Sequence, residues 1–339
     1  VHIFNRSELI EVATFRSGVD KNNEGNLIKD QSGKIIRDNI WGTIEQDTYR
    51  RDFTVNALYY CPASKKIVGH KKGLRDIHQK NIVSIGDPIK RFSEDPVRGL
   101  RAIRFSNKLK FKIDKKVKEA IYEKGYLLSN ISNARLFDEF CKIFLSGMAE
   151  KNFNKLFSYN LNKYLISTEP EKNEFTKKLI TESLRNTDIR IKNVQSVTPG
   201  FLIAALLWPE LLEKSVMKNE INLRKFFRSM DVVLRKQQKI TAIPRKFHSY
   251  IKDIWVLQLK LHSRIGKQPY KTLRHPRFRA AYDFMLIREK SAGGSKHLGK
   301  WWTNFQKNDD RLKFSLINSL KEKDNQESFK TFGFSSELR

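Results

Sequence analysis

The sequence predicts an α+β protein, a mixed α/β segment to about residue 90 followed by a longer all-helical region. Three observations carry this prediction. "ELIEVATFR", residues 8–16, alternates its side chains as a half-buried strand does. Beyond residue 90 the apolar residues recur with a helical period of about 3.6. Proline and glycine breaks at 170, 199, 244 and 276 divide that region into separate helices, and no repeat of fixed length runs through it.

Taken in order, the first strand sets Glu11, Ala13 and Phe15 on one face and Ile10, Val12 and Thr14 on the other. "SGVDKNNEGNLIKDQSGK", 17–34, is a polar loop punctuated by glycine. From about Asn39 the pattern reads as helix through "NIWGTIEQDTYRRDFTVNALYY", and "IVGHKKGLRDIHQKNIVSIGDP" then offers short strands and turns around Gly69, Gly73 and Gly86. "PGFLIAALLWPELL", 199–212, is bounded by proline and shorter than the roughly 18–20 apolar residues of a membrane span, so no membrane is expected. The polar end, 307–339, reads as a flexible tail. The opening "VHIFNRSELIEVATFR" has no signal-peptide pattern and reads as the middle of a strand meander, so the chain is expected to start inside a domain.

Sixty-six Lys and Arg against 37 Asp and Glu leave a formal charge of +29, which points to a polyanion as partner. A genome that favours Lys and Asn codons would raise the same count. Cys61 and Cys141 have no zinc spacing and the seven histidines have no ligand periodicity, which fits a reducing cytoplasm and argues against a structural metal.

Three stretches can carry chemistry. In "SEDPVRGLRAIRF", 93–105, Ser93 is a plausible N-cap, Glu94 and Asp95 suit the positive helix end, and Pro96 suits the first turn. Val97, Leu100 and Ile103 then form an apolar stripe, and Arg98, Arg101 and Arg104 a parallel basic one. Asp95 and Arg98 on neighbouring turns pair an acceptor with a donor fork, which suits the Watson–Crick edge of a base. A capped helix with a local ion pair and a solvated basic face gives the same pattern.

In "RRDFTVNALYY", 50–60, a helix would set Asp52 and Asn56 on one face and turn Phe53, Ala57 and Tyr60 into packing. Arg50 and Arg51 would sit at its start, where free amides also favour an anion. Such a set suits a nucleoside triphosphate, and an incidental cap explains it equally. Glu11 on its strand is a candidate to help hold a divalent cation, although most such acids face water. Arg274, Arg277, Arg279 and Lys300, interleaved with Phe278, Tyr282, Trp301 and Trp302, suit single-stranded RNA, unless those aromatics are core at helical spacing.

Together "IEVATFR", "IEQDTYRRDFTVNALYY", "IGDPIKRFSEDPVRGLRAIRF" and "NARLFDEF" resemble successive motifs of the class II nucleotidyltransferases, the group of bacterial poly(A) polymerases and CCA-adding enzymes. "LRNTDIRIKNVQSVTPGFLIAALLWPELL", "IKDIWVLQLKL", "LRHPRFRAAYDFMLIR" and "KWWTNFQ" resemble the carboxyl-terminal region of the poly(A) polymerase I branch, so the likeness covers about residues 1–306.

The resemblance implies the remnant of a mixed-sheet nucleotidyltransferase head over 1–80, a helical neck over 81–145, a helical body and tail over 146–306 and the polar tail from 307. It implies template-independent transfer of AMP from ATP to RNA 3′ ends, release of pyrophosphate, Mg²⁺ as cofactor and a cytoplasmic location. Carried onto this sequence, Arg50, Arg51, Asp52 and Asn56 contact the nucleotide, with Asp52 near the ribose and catalytic. Asp95 and Arg98 contact the adenine edge, Glu94 orients them, and Arg101 joins the nucleotide set. Arg104 joins Arg274, Arg277, Arg279 and Lys300 in holding RNA, and Glu11 stands beside the metal pair as a further catalytic acid. Two departures stand out. Lys72-Gly73 replaces a Gly-Gly turn, and the family's "GGxVRD" loop and Asp-x-Asp metal pair are expected before residue 1. Were the chain complete as given, RNA binding with negligible transfer would be the expectation; the leading reading is a poly(A) polymerase, with a noncatalytic RNA-binding remnant, or less favoured a CCA-adding enzyme, as the alternative. A basic ribosome- or DNA-associated module would explain the charge and leave the ordered motifs unexplained.

Overall fold

The computed structural model describes residues 1–5, 8–17, 28–29, 35–37, 41–217, 220–293 and 297–320. The chain divides after Leu128 into two compact units.

The first unit begins with an antiparallel hairpin, β1 (His2–Asn5) and β2 (Glu8–Glu11), and a second, β3 (Ile28–Lys29) with β4 (Ile35–Arg37). Strand β2 stops at Glu11, short of the expected run to Arg16, and the loop expected over 17–34 lies largely outside the described residues. Helix α1 (Ile44–Arg50) starts at a capping box: Thr43 Oγ1 accepts from Gln46 N at 3.3 Å and Gln46 Oε1 accepts from Thr43 N at 2.9 Å.

The helix expected to run on to Tyr60 ends at Arg51. Asp52 takes the N–H of Phe53 on its own carboxylate at 2.9 Å, competing with helix continuation, and Phe53 bridges Ser84 in extended form. A 3₁₀ turn at Thr54–Asn56 follows, and the aromatic run becomes β5 (Leu58–Cys61), paired with β6 (Lys66–Gly69). Phe53 and Ala57 are fully buried as expected, whereas Tyr60 faces solvent.

Helix α2 (Gly73–His78) opens at the departure from the Gly-Gly turn. Lys72 has φ −91°, a conformation open to any residue, so the missing glycine costs nothing there. Gly73 is the one that matters, because a Cβ would lie 2.8 Å from Leu58 Cδ2. Strand β7 (Asn81–Ile82) leads to α3 (Pro88–Glu94) and α4 (Val97–Leu109), then β8 (Lys112–Ile113), parallel to β7, and α5 (Lys115–Lys124). Val97, Leu100 and Ile103 are buried, the apolar stripe read from the sequence.

The second unit holds α6 (Asn133–Phe144), α7 (Ala149–Ser158), α8 (Glu174–Lys192), α9 (Pro199–Ser215), α10 (Leu223–Gln238), α11 (Arg245–His262), α12 (Gln268–Leu273), α13 (Phe278–Ala292), α14 (His297–Lys307) and α15 (Asp310–Asn318). A two-stranded ribbon, β9 (Val216–Met217) with β10 (Glu220–Ile221), interrupts the helices. Helix α9 packs against α8, α10 and α11 and is apolar nearly all round, the pattern of a buried helix. It runs through Pro209, which lies within the stretch 199–212. In the turn before that proline the carbonyls of Ala204 and Leu206 accept from Trp255 Nε1 at 2.9 Å and Thr168 Oγ1 at 2.8 Å, which ties neighbouring side chains to α9. Among the described residues no helix is long and apolar enough to cross a membrane.

Candidate nucleotide site

The site grows from one buried acid that the sequence reading overlooked. Asp47, 2% exposed, sits three and four residues before Arg50 and Arg51 on α1. Its carboxylate accepts from Arg50 Nε at 2.8 Å, Arg51 Nε and Nη2 at 3.1 and 2.9 Å, Arg16 N at 3.3 Å and the hydroxyl of Tyr59. Burial alone would raise its pKa, and the bonds from Tyr59, Arg50 and Arg51 outweigh that and hold it well below the usual carboxylate range. Arg50 and Arg51 therefore close the end of α1, where cations suit the negative helix terminus, and do not open a helix as expected.

Asp52, 6% exposed, is the second centre. Its Oδ1 accepts from Phe53 N and from Asn56 Nδ2 at 3.0 Å, and its Oδ2 accepts from Arg101 Nε at 2.6 Å. Asp52 and Asn56 do meet, through the 3₁₀ turn and not along a helix face. Arg101 reaches Asp52 from α4, and its guanidinium lies 5.4 Å from the Phe105 ring; Arg104 lies over the same ring at 4.4 Å.

The motif expected as one capped helix is two helices with a break at Asp95. Ser93 lies inside α3, donating its hydroxyl to Ile89 O at 2.9 Å, and is no N-cap. Pro96 cannot donate the N–H that continuation of α3 would require, so the chain turns and α4 starts afresh. Asp95 at this joint accepts from Val97 N at 3.2 Å, and its carbonyl accepts from Arg98 N at 3.1 Å. Arg98 Nη1 approaches Arg91 O at 3.4 Å. Burial and then neighbouring Arg91 lower the Arg98 pKa, against Asp95, Asp52 and Glu94, which favour its charge.

Glu94 bonds Arg91, with Arg91 Nη1 at 3.2 Å from Glu94 Oε2. Arg91 Nη2 in turn donates to the carbonyls of Arg50 and Arg51, both at 2.8 Å, and more weakly to Tyr49 at 3.4 Å. Arg91 thus ties α3 to the end of α1. Asp47 had a local signal, its spacing to two arginines. Arg91 had none, because its acceptors lie about forty residues back along the chain.

Glu11 takes no part in these bonds; it stands exposed at the end of β2, opposite His2. Among the described residues no group of three or more His, Cys, Asp or Glu side chains could hold a metal ion. In the second unit Arg274, Arg277, Arg279 and Lys300 are exposed, Arg279 pairs with Asp283 at 3.1 Å, and Arg277 lies over Tyr250 at 4.8 Å. Phe278, Tyr282, Trp301 and Trp302 are buried in one cluster with Phe305 and Ile317, so they are core and not a stacking platform.

Comparison with known proteins bears on this arrangement. The "Poly A polymerase head domain" family matches residues 1–83, the "Probable RNA and SrmB- binding site of polymerase A" residues 110–175 and the "Polymerase A arginine-rich C-terminus" residues 218–331. The poly(A) polymerase I of Haemophilus influenzae is 39% identical over 328 residues, 93% of this chain and 72% of that one. That of Escherichia coli O157:H7 is 37% identical, over 95% of this chain and 72% of its own length. A CCA-adding enzyme of Pediococcus pentosaceus is 37% identical over only 36% of this chain and 31% of its own. Among solved structures, a tRNA nucleotidyltransferase with primer tRNA and an ATP analog aligns at TM-score 0.56 and 18% identity, covering 80% of this chain and 75% of that one. The Thermotoga maritima CCA-adding enzyme with tRNA aligns at 0.53 and 20%, covering 90% and 75%. These likenesses show the class II nucleotidyltransferase fold, mostly helical with small sheets toward the amino end.

Proposed function

The chain belongs to the bacterial poly(A) polymerase I family, and on that premise we propose that it holds ATP and a single-stranded RNA 3′ end for template-independent AMP transfer. The RNA 3′ hydroxyl oxygen bonds to the α-phosphorus, the bond to the bridging oxygen breaks, and pyrophosphate leaves. The observation that carries the reading is Asp52, joined at once to Asn56 on its own turn and to Arg101 on α4. That bond couples the segment bearing Arg50 and Arg51 to α4, which starts just after Asp95 and carries Arg98.

A carboxylate offers about four acceptor positions, and three on Asp52 are used, which leaves one for a ribose hydroxyl. Asp95 is an acceptor for the adenine amino group and Arg98 a donor to the ring nitrogen beside it. Arg50 and Arg51, held by Asp47, present their remaining donors to the triphosphate. The family implies a divalent cation, and none of these contacts depends on one. The preference for ATP over CCA addition rests on coverage, since the curated poly(A) polymerases align along nearly the whole chain. The head, neck, body and tail divisions at 80, 145 and 306 belong to the same proposal, as does a cytoplasmic location, which the two free cysteines suit.

The test is extension of a labelled single-stranded RNA with Mg²⁺ and each of ATP, CTP, GTP and UTP, by this chain and by a version preceded by its upstream coding sequence. In whichever form extends the RNA with ATP, Arg98→Ala should relax the choice among the four nucleotides, and Asp52→Ala should weaken all four about tenfold or more. Unchanged ATP preference in Arg98→Ala would sink the base-reading role. RNA binding with no extension by either form would leave an RNA-holding protein without transfer.

A further inference from the structure

In the second unit a hollow of about 280 Å³ lies among α8, α9, α10 and the loop that leads into α8. Its charges reverse the balance of a chain that carries +29, with Glu169, Glu210 and Glu213 set against Lys172 and Lys236. Glu210 is 6% exposed; its Oε2 accepts from Ser167 Oγ at 3.0 Å, and its Oε1 lies 3.0 Å from Lys236 Nζ as an ion pair, without a hydrogen-bond partner. Lys172 Nζ lies 2.5 Å from Glu213 Oε1. That bond, joined by the nearby Glu169 and Glu210 carboxylates, raises the Lys172 pKa, so the field in the hollow favours an ammonium.

The ends of two helices give the same space a direction. Asn173, the N-cap of the 19-residue α8, and Thr176 in its first turn line the hollow, so a positive helix end reaches it. Leu212 and Glu213, in the last turn of the 17-residue α9, line it as well and bring a negative end. Thr176 is 1% exposed and its hydroxyl has no hydrogen-bond partner, an arrangement that costs free energy unless a ligand supplies one. Phe175, Pro209, Leu212 and Val216 add an apolar wall.

We propose that this hollow binds a free α-amino acid with an apolar side chain. Its ammonium takes the place of Lys236 Nζ on Glu210, its carboxylate accepts from Thr176 Oγ1 and meets Lys172 at the first turn of α8, and its side chain rests on Phe175, Leu212 and Val216. Both lysine side chains are about half exposed, so each can turn out into water. Glu210 is buried and needs a cation in exchange. RNA does not suit the site, because three carboxylates repel phosphate. A bare amine would leave the α8 end and the Thr176 hydroxyl without a partner. The volume, just under the roughly 300–1,000 Å³ of a site for a drug-sized ligand, matches a small metabolite. Nothing in this site depends on AMP transfer.

The test is the melting temperature of the full chain with leucine, methionine or phenylalanine at millimolar concentration, beside the corresponding amine and carboxylic acid that each lack the other charge. At least one amino acid should raise it by about 3–6 °C as a ligand of the folded state, and its two single-charge counterparts by less than about 1 °C. Thr176→Val should melt no lower than the unaltered chain without ligand and bind that amino acid about tenfold more weakly by calorimetry, since its hydroxyl has no partner until the carboxylate arrives. Lys236→Met should melt lower without ligand and bind about tenfold more tightly, because the ammonium no longer competes for Glu210. No shift with any of the three amino acids would overturn the proposal, as would an equal shift with the amine alone. Affinity unchanged in both variants would place the binding elsewhere and overturn it too. If Lys236→Met fails to fold, Thr176→Val decides.

Discussion

Asp47 shows how one residue organises a site it need not touch. It gathers two guanidiniums, a phenol and a backbone N–H on a single buried carboxylate, so its loss leaves several donors without an acceptor. Asp47→Asn should cost about 1–2 kcal/mol at neutral pH, discounted because the two arginines remain partly exposed. The sign of the pH dependence follows from its lowered folded pKa. The stabilisation is complete above the unfolded value of about 3.9 and declines as pH falls toward the folded one, because only the unfolded chain gains the proton there. Urea unfolding of both proteins should thus show a full difference near pH 6 that shrinks below about pH 4; a difference independent of pH would remove Asp47 as an ionised anchor. The meeting of Asp52 with Asn56 was legible in the spacing of the motif, whereas the bond from Arg101 to Asp52 was not, since it joins residues 49 apart. Asp47 stands three and four residues before Arg50 and Arg51, a spacing visible in the sequence, but spacing alone does not distinguish a buried anchor from an exposed helix pair.

At the scale of elements, the two nucleotide segments meet through Arg91. Its Nη2 bonds the last carbonyls of α1, groups that a helix leaves unsatisfied, while its Nη1 is steadied by Glu94 on its own helix. Arg91→Met keeps much of the aliphatic bulk and removes those bonds, so the end of α1 should loosen from α3. ATP affinity, read by calorimetry, is then expected to fall about tenfold, with a faster amide exchange at Arg51 and Phe53. Weakened ATP binding with unchanged exchange would mean that Arg91 acts on the nucleotide directly. Element types were readable in the second unit, where helical periodicity and proline breaks coincide with α8 to α13. They were misread at 51–60 and 93–96, because both are places where a side chain or a proline ends a helix that hydrophobic pattern alone would extend.

Over the whole molecule the informative quantity is the charge of +29, which the ordered motifs do not require and an RNA partner explains. A codon-bias origin and a working electrostatic surface make different predictions about salt. If the chain neutralises about five phosphates of a single strand, the logarithm of its affinity should fall with the logarithm of salt at a slope of about −3.5. Raising salt from about 50 to about 200 mM should then weaken oligoadenylate binding about a hundredfold. Titrations at four salt concentrations measure this slope directly. A slope shallower than about −1 would mean that the excess Lys and Arg lie away from the strand, and the charge would then say nothing about function.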